Sequence, residues 1–474
     1  MAILLDILSH QIGSLFAPKK DKSFNSTFGD ISEIASPWNH GFLINKSDRL
    51  TKLQSFQNLL ICGPTGSGKT TRVLLKNLFE LKNCSVVVND PSKELFNLSS
   101  GYLSQYFDIK TLNFSDSSVS SGYNILSRIK RSNDIQKIAN ILVSSTLEKG
   151  NGGGDPFWSL QTKTLLSILL RLVQFQPEVY RNMANVKFLL DIFAVKPKYI
   201  DSLIAQTNDK ALVLEYKSLI ASPEKTLQNI TASAKASLQI FSDEEFAKVT
   251  SVDTISFEAL REKPTIIFLH NSIADQKHAS TLISIFFQQF YEYILSRIPG
   301  KKELPIYIIL EEASSLYIPV LPISLANTRK HSCATMVAIQ NVKQLENFYG
   351  KESENIASNC VTKCYLPGIT SLDNLREIES LGGKMTYIDE NGKEKSKSLM
   401  TVDEIRRMHE NEVLILCGNK PFIISKTSPY YLSFKYSRRA KHAPAPFTGE
   451  IPQTPIRLIG EKTTEEPNSQ TNNQ

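Results

Sequence analysis

Eight residues constrain this chain more than any others: Gly63-Pro64-Thr65-Gly66-Ser67-Gly68-Lys69-Thr70. They follow an apolar run at 58–62 that reads as a strand, and they open a helical pattern beginning near Lys69. The spacing is G-x-x-x-x-G-K-[ST], in the strand–loop–helix setting that gives it physical meaning. Glycines let backbone N–H groups turn inward around a β-phosphate, and the helix N-terminus adds the positive end of a dipole. Lys69 would reach the β- and γ-phosphates, and the Thr70 hydroxyl would hold Mg²⁺. The ligand this predicts is a nucleoside triphosphate.

A phosphate loop of this kind works with a second strand that ends in acid beside the metal. Residues 306–310 (IYIIL) form a buried apolar run ending in Glu311 and Glu312. Glu311 is expected in the Mg²⁺ shell through water. Glu312 is expected to polarise the attacking water, as in NTPases that hydrolyse rather than merely bind. The usual first acid is Asp, so Glu311, one carbon longer, is a departure. Beyond the next strand comes Gln340, a polar amide at the carboxyl end of an apolar run, where it could sense a γ-phosphate and orient water.

Eight short apolar runs, at 58–62, 85–89, 110–114, 265–270, 306–310, 334–339, 361–366 and 413–417, alternate with helical patterns. Near-continuous Val/Ile/Leu runs fit a mainly parallel sheet covered on both faces, an α/β doubly wound core. The alternation stops between about 127 and 251, where only helical periodicities occur, at 135–147, 158–173, 186–193, 211–220 and 227–241. This gives an expected division into an N-terminal segment (1–44), a nucleotide-binding domain in two parts (45–126 and 252–436), an inserted all-α domain (127–251) and a disordered Pro/Thr/Gln/Asn-rich tail (437–474).

With 474 residues, 41% hydrophobic and 21% charged, the composition is that of a folded globular chain and excludes collagen-like or wholly disordered classes. The net charge of +7 permits a polyanionic partner without requiring one. Six scattered cysteines, mostly in or beside apolar runs, indicate a reducing compartment, and Cys360 and Cys364 lack a second pair at zinc spacing. No run reaches the ~18 apolar residues of a membrane span. Near the N-terminus Leu4, Leu8, Ile12, Leu15 and Phe16 share a helical face ahead of Lys19, Lys20 and Lys22. That face either packs on its own domain or lies on a membrane surface.

These features resemble the type IV secretion coupling ATPases, the TraG/TraD family of conjugation, over residues 57–431. The matching segments run in order: ICGPTGSGKTT (61–71), VVVNDPSKELFNLS (86–99), GYNIL (122–126), DPFW (155–158), LPISLANTRKHSC (321–333), AIQNVKQLENFYGKESENIASNC (338–360), LMTVDEIRRM (399–408) and Pro429-Tyr430-Tyr431. In the second segment Asp90, Pro91 and Glu94 are kept, while Ser92-Lys93 replaces the family's Lys-Gly. The resemblance implies a RecA-like motor that binds ATP and Mg²⁺ through Gly63 to Thr71, Thr71 included, and assembles as a ring of six. It implies Arg329 as a finger on the neighbouring subunit's γ-phosphate. It implies transport of DNA, or relaxase-bound DNA, to a secretion channel at the inner membrane, with the all-α insertion helping to select substrate. Members typically begin with transmembrane helices and this chain shows none. The implied location is therefore cytoplasmic, with tethering to the inner face of the cell membrane by a partner or by the N-terminal amphipathic face left open.

Direct signs of nucleic-acid binding are sparse. Arg128, Lys130 and Arg131, the Arg406-Arg407 pair and the aromatic-basic run 430–439 are the basic candidates. The last reads as a terminal strand followed by a solvated charge run, or as a stacking surface for single strands. DNA contact would be independent of sequence and would weaken steeply with salt. Two other readings stay beside the DNA-translocating ATPase: an FtsK/HerA-like pump or protein-effector coupling ATPase, and a weakly hydrolysing nucleotide-binding scaffold.

Overall fold

The computed structural model describes residues 25–147, 156–270, 275–447, 451 and 456–460. Strands β1 (Leu59–Cys62), β2 (Ser85–Asn89), β3 (Asp108–Leu112), β4 (Thr265–Leu269), β5 (Ile306–Leu310), β6 (Cys333–Ile339) and β7 (Thr362–Tyr365) are mutually parallel. A small antiparallel hairpin, β8 (Lys384–Ile388) and β9 (Glu394–Ser398), stands apart. Strands β10 (Glu412–Cys417) and β11 (Ile423–Lys426) then join the main sheet antiparallel, at the β7 side. The resulting order is β11-β10-β7-β1-β6-β5-β2-β4-β3. This is the mainly parallel, helix-flanked sheet of a RecA-like α/β fold.

Because successive strand residues point to opposite faces, the parallel strands feed two cores. Leu60 and Cys62 of β1 and Val87 of β2 belong to one; Leu59, Ile61, Val86 and Val88 belong to the other, together with Val73, Leu74 and Leu78 of the helical segment after the phosphate loop. Between neighbouring strands β3 and β4 the described residues form a series of helices that includes Ser132–Leu147, Pro156–Gln174, Met183–Val195, Pro197–Gln206, Lys210–Ile220, Glu224–Leu238 and Glu244–Val249. The crossover that any parallel pair requires is here expanded into a helical body. Its apolar residues, such as Leu169, Leu190 and Leu238, join the first sheet face in one continuous core.

Three expectations need correction. The third strand ends at Leu112, so it sits two residues earlier than the 110–114 run suggested. β11 and the hairpin were not read from apolar patterning. β11 buries little beyond Ile423 as an edge strand, and no residue of β8–β9 is buried, leaving only the Asn391-Gly392 turn, with Gly392 at φ 73°, as a signal. The expected disordered tail does not start at 437. Phe434–Ala440 is a helix, the Ala445 N–H donates to Ser100 Oγ at 3.0 Å, and Ile451 and Ile459 are buried. Farther along, Ile459 N–H reaches Asn185 Oδ1 at 3.0 Å, so isolated anchors hold a stretch whose average composition is that of a tail. The amphipathic face at Leu4 to Phe16 lies outside the described residues. None of the described helices is long and apolar enough to cross a membrane.

Candidate functional site

The phosphate loop starts where β1 ends. Gly63 N–H donates to the Ile339 carbonyl of neighbouring β6 at 3.2 Å, and a Cβ at Gly63 would come within 2.6 Å of Ser67 Oγ and 3.0 Å of Leu366 Cβ. Only glycine fits that approach. Gly66 sits at φ 81° with open space where a side chain would go, at an exposed tip shared with Thr65. Ser67 Oγ donates to the Pro64 carbonyl at 2.7 Å and Thr71 Oγ1 lies 3.4 Å from the Gly68 carbonyl, which fixes the loop on itself. Gly68 precedes a helix whose opening turns, Lys69–Leu74, are π-wound before regular α-helix follows over Leu75–Glu80.

Lys69 Nζ donates to the carbonyls of Gly63 (2.6 Å) and Pro64 (3.2 Å). Burial holds its ammonium below the ordinary lysine range, opposed by the nearby Cys62, Glu312 and Glu311. Thr70 Oγ1 donates to Glu311 Oε1 at 2.5 Å, across the gap from the end of β5. Burial pushes the Glu311 carboxyl up to about 7; Thr70 opposes the shift, and the acids Asp90, Glu94 and Glu312 add to it. Its second oxygen, Oε2, is buried without a hydrogen-bond partner. A hard cation with its water ligands fits that orphaned acceptor beside a threonine hydroxyl. Thr70 and Glu311 are thus the side chains that could hold Mg²⁺.

Glu312 is exposed and adopts φ 55°, ψ 51°, a left-handed conformation unusual for a side-chain-bearing residue. Such strain, of order 1–3 kcal/mol, concentrates at functional positions. Gln340 Nε2 donates to Glu312 Oε1 at 3.2 Å. The sheet order explains the meeting, because β6 lies between β1 and β5 and so delivers Gln340 between loop and acids.

Two neighbours extend the site. Asn89, ending β2, donates through Nδ2 to the Glu311 carbonyl at 2.7 Å and fixes the strand tip; it is a polar residue closing a Val run, the same signal that marked Gln340. Asp90, fully buried, accepts from the N–H groups of Leu95 (3.2 Å) and Phe96 (2.7 Å) and caps the helix Glu94–Leu103. Burial nonetheless pushes its carboxyl up to about 6.

Arg329 is not brought to this cluster. It is exposed in the turn Thr328–His331 just before β6, at the opposite edge of the sheet. The seven residues of β6 separate the two edges by about 20 Å. That turn is held firmly: Arg261, 3% exposed, donates to the carbonyls of His331 (2.7 Å), Ser332 (3.2 Å) and Leu304 (2.9 Å).

Among solved structures the fold is similar to the plasmid coupling protein TrwB in complex with ADP and Mg²⁺ (18% identity, TM-score 0.66, 85% of this chain and 94% of that one). It is also similar to the unbound monoclinic form of TrwBdeltaN70, a bacterial conjugative coupling protein (17% identity, TM-score 0.64, 82% and 88%). VirB4 of Thermoanaerobacter pseudethanolicus is a more distant likeness (14% identity, TM-score 0.51, 87% and 100%). No curated protein matches the chain in sequence. The family model for type IV secretory system conjugative DNA transfer matches residues 19–449, most of the chain, and the protein belongs to that family.

Proposed function

We propose that this chain is an ATP-hydrolysing coupling protein that moves DNA, or DNA carrying a relaxase, to a conjugative secretion channel. The observation that carries the reading is the convergence of Lys69, Thr70, Glu311, Glu312 and Gln340 at the carboxyl ends of β1, β5 and β6. The TrwB structures with ADP and Mg²⁺ and with a non-hydrolysable ATP analogue support the choice of nucleotide.

In this reading the inward N–H groups of Gly63 to Thr71 cradle the phosphates. Lys69 exchanges the Gly63 and Pro64 carbonyls for phosphate oxygens. Thr70 and Glu311 hold Mg²⁺, which when bound neutralises charge on the phosphates. Glu312, exposed and tethered by Gln340, takes the proton of the attacking water. Arg329 lies too far away to serve its own subunit, so it acts on the nucleotide of a neighbour, which makes a closed ring, six copies in this reading, the working unit. The site of action is the cytoplasmic face of the cell membrane, beside the secretion channel.

The test is steady-state ATP turnover as a function of oligomer size, with and without single- and double-stranded DNA. Turnover that rises with assembly and with DNA is expected. Tight ATP binding with no turnover in any assembly would instead leave a nucleotide-binding scaffold, and Lys69→Ala, which should abolish binding, controls for the site.

A further inference from the structure

On the sheet face that carries the phosphate-loop helix, three helices lie together: Leu75–Glu80, Glu94–Leu103 and Phe434–Ala440. Between them Glu80, with a side chain 9% exposed, receives three cations: Arg49, Lys435 at 2.5 Å and Arg439 at 3.0 Å. One carboxylate against three cations leaves positive charge over, and Lys82, Arg438 and Lys441, all exposed, add to it.

Aromatic rings interleave with these cations. The Arg439 guanidinium lies 4.7 Å from the Tyr102 ring, and Lys82 Nζ lies 5.0 Å from the Tyr106 ring. Tyr102 meets Tyr106 at 5.5 Å. On the outer side Tyr106, Tyr431 and Phe434 are 48%, 58% and 84% exposed. Three exposed rings, from positions 106 to 434, thus lie on or beside the elements that build one cationic cluster. The run 430–439, read as a terminal strand, is instead a turn and a helix that buries Tyr436 and leaves Tyr431, Phe434 and Arg438 outward.

Large rings held in water beside cations that outnumber their carboxylates suit a ligand with flat apolar faces on an anionic backbone. Cations outnumber the acids Glu80 and Glu94 here, which favours a polyanion over a second copy of this basic chain. We propose that it binds single-stranded DNA, with the rings stacking on bases and Lys82, Lys435, Arg438 and Lys441 on phosphates. A duplex hides its base faces and would use the cations alone. The proposal rests on the DNA-transfer reading above and names where that DNA lies.

The experiment is fluorescence anisotropy of a labelled oligo-dT, and of a duplex of equal length, with the full chain over a range of salt. Phe434→Ala with Tyr431→Ala should weaken oligo-dT binding by roughly tenfold or more and the duplex much less, with an unshifted thermal melt. Arg438→Gln with Lys441→Gln should flatten the salt slope by ~0.7 per cation removed. If the native chain binds oligo-dT and both double variants bind it equally well, with the same slope, the surface is wrong and the DNA-transfer reading stands. Loss of self-association without loss of DNA binding in the ring variant would likewise overturn the proposal, making the patch a contact between copies. If the native chain binds no DNA, the underlying reading falls as well.

Discussion

At the carboxyl edge of the sheet, Glu311, Asp90 and Lys69 are ionisable groups taken out of water, each with its charged form disfavoured by burial. At the amino edge, the buried Arg261 is also desolvated, but it donates to three carbonyls of the turn and its neighbour. Both edges are polar, yet one is left electrostatically incomplete and the other is self-sufficient. An incomplete edge with an orphaned carboxylate oxygen is built to receive a ligand that supplies the missing charge. The edge bonded to its own carbonyls holds the turn that carries Arg329, the finger of the proposed ring.

The sharpest way to break this contrast is to remove the presented group. Arg329→Ala should lower hydrolysis by the assembled protein about a thousandfold while sparing nucleotide affinity. Normal turnover in the assembled variant would reduce Arg329 to a surface charge. At the other edge, Glu312→Gln should keep binding and cut single-turnover hydrolysis by about a hundredfold or more; retained hydrolysis would remove Glu312 from the chemistry.

Arg261→Met tests whether the amino edge is truly structural. The His331 and Leu304 carbonyls would lose the Arg261 donor, while Ser332 keeps the Ile306 N–H, and the chemical-denaturation midpoint should report a loss of about 2 kcal/mol or more. An unchanged midpoint would show that the turn holds itself.

The smallest expected effect concerns protons. The Glu311 carboxyl titrates near 7 when folded, above its unfolded value, so folded protein without nucleotide holds an extra proton between the two. Stability from this group is therefore present at low pH and is lost as pH rises toward and through about 7, by on the order of 2–3 kcal/mol. Glu311→Gln should flatten that part of the stability–pH profile, leaving the parallel contribution of Asp90. Because a metal ligand must be ionised, Mg²⁺–nucleotide binding near neutrality should also release protons, measurable by calorimetry in buffers of different ionisation enthalpy. Identical heats in all buffers would contradict it.

Much of the carboxyl edge was legible because its chemistry is local. Glycines at fixed offsets, a lysine, a threonine and a paired acid each sit within a residue or two of a strand end, and strand ends of a parallel sheet share one edge. Gln340 was legible for the same reason, and Asn89 carried the same mark unread. The exposed hairpin and β11 escaped because an exposed strand need not alternate apolar residues. The docked segment beyond Tyr436 escaped because single anchors such as Ala445 and Ile459 vanish in an average over a Pro- and Thr-rich stretch.

What the amino-acid sequence determined alone was the phosphate loop, the acid-tipped strand and the alternation that makes a layered α/β sheet, since each depends on backbone geometry over a few residues. Only the tertiary structure decided that β6 would lie between β1 and β5 and bring Gln340 onto Glu312. It alone decided that Arg329 would stand about 20 Å from its own loop, and that Lys82, Tyr106, Tyr102 and Arg439 would meet. Those facts depend on strand order and helix docking, which are fixed by burial summed over the whole chain.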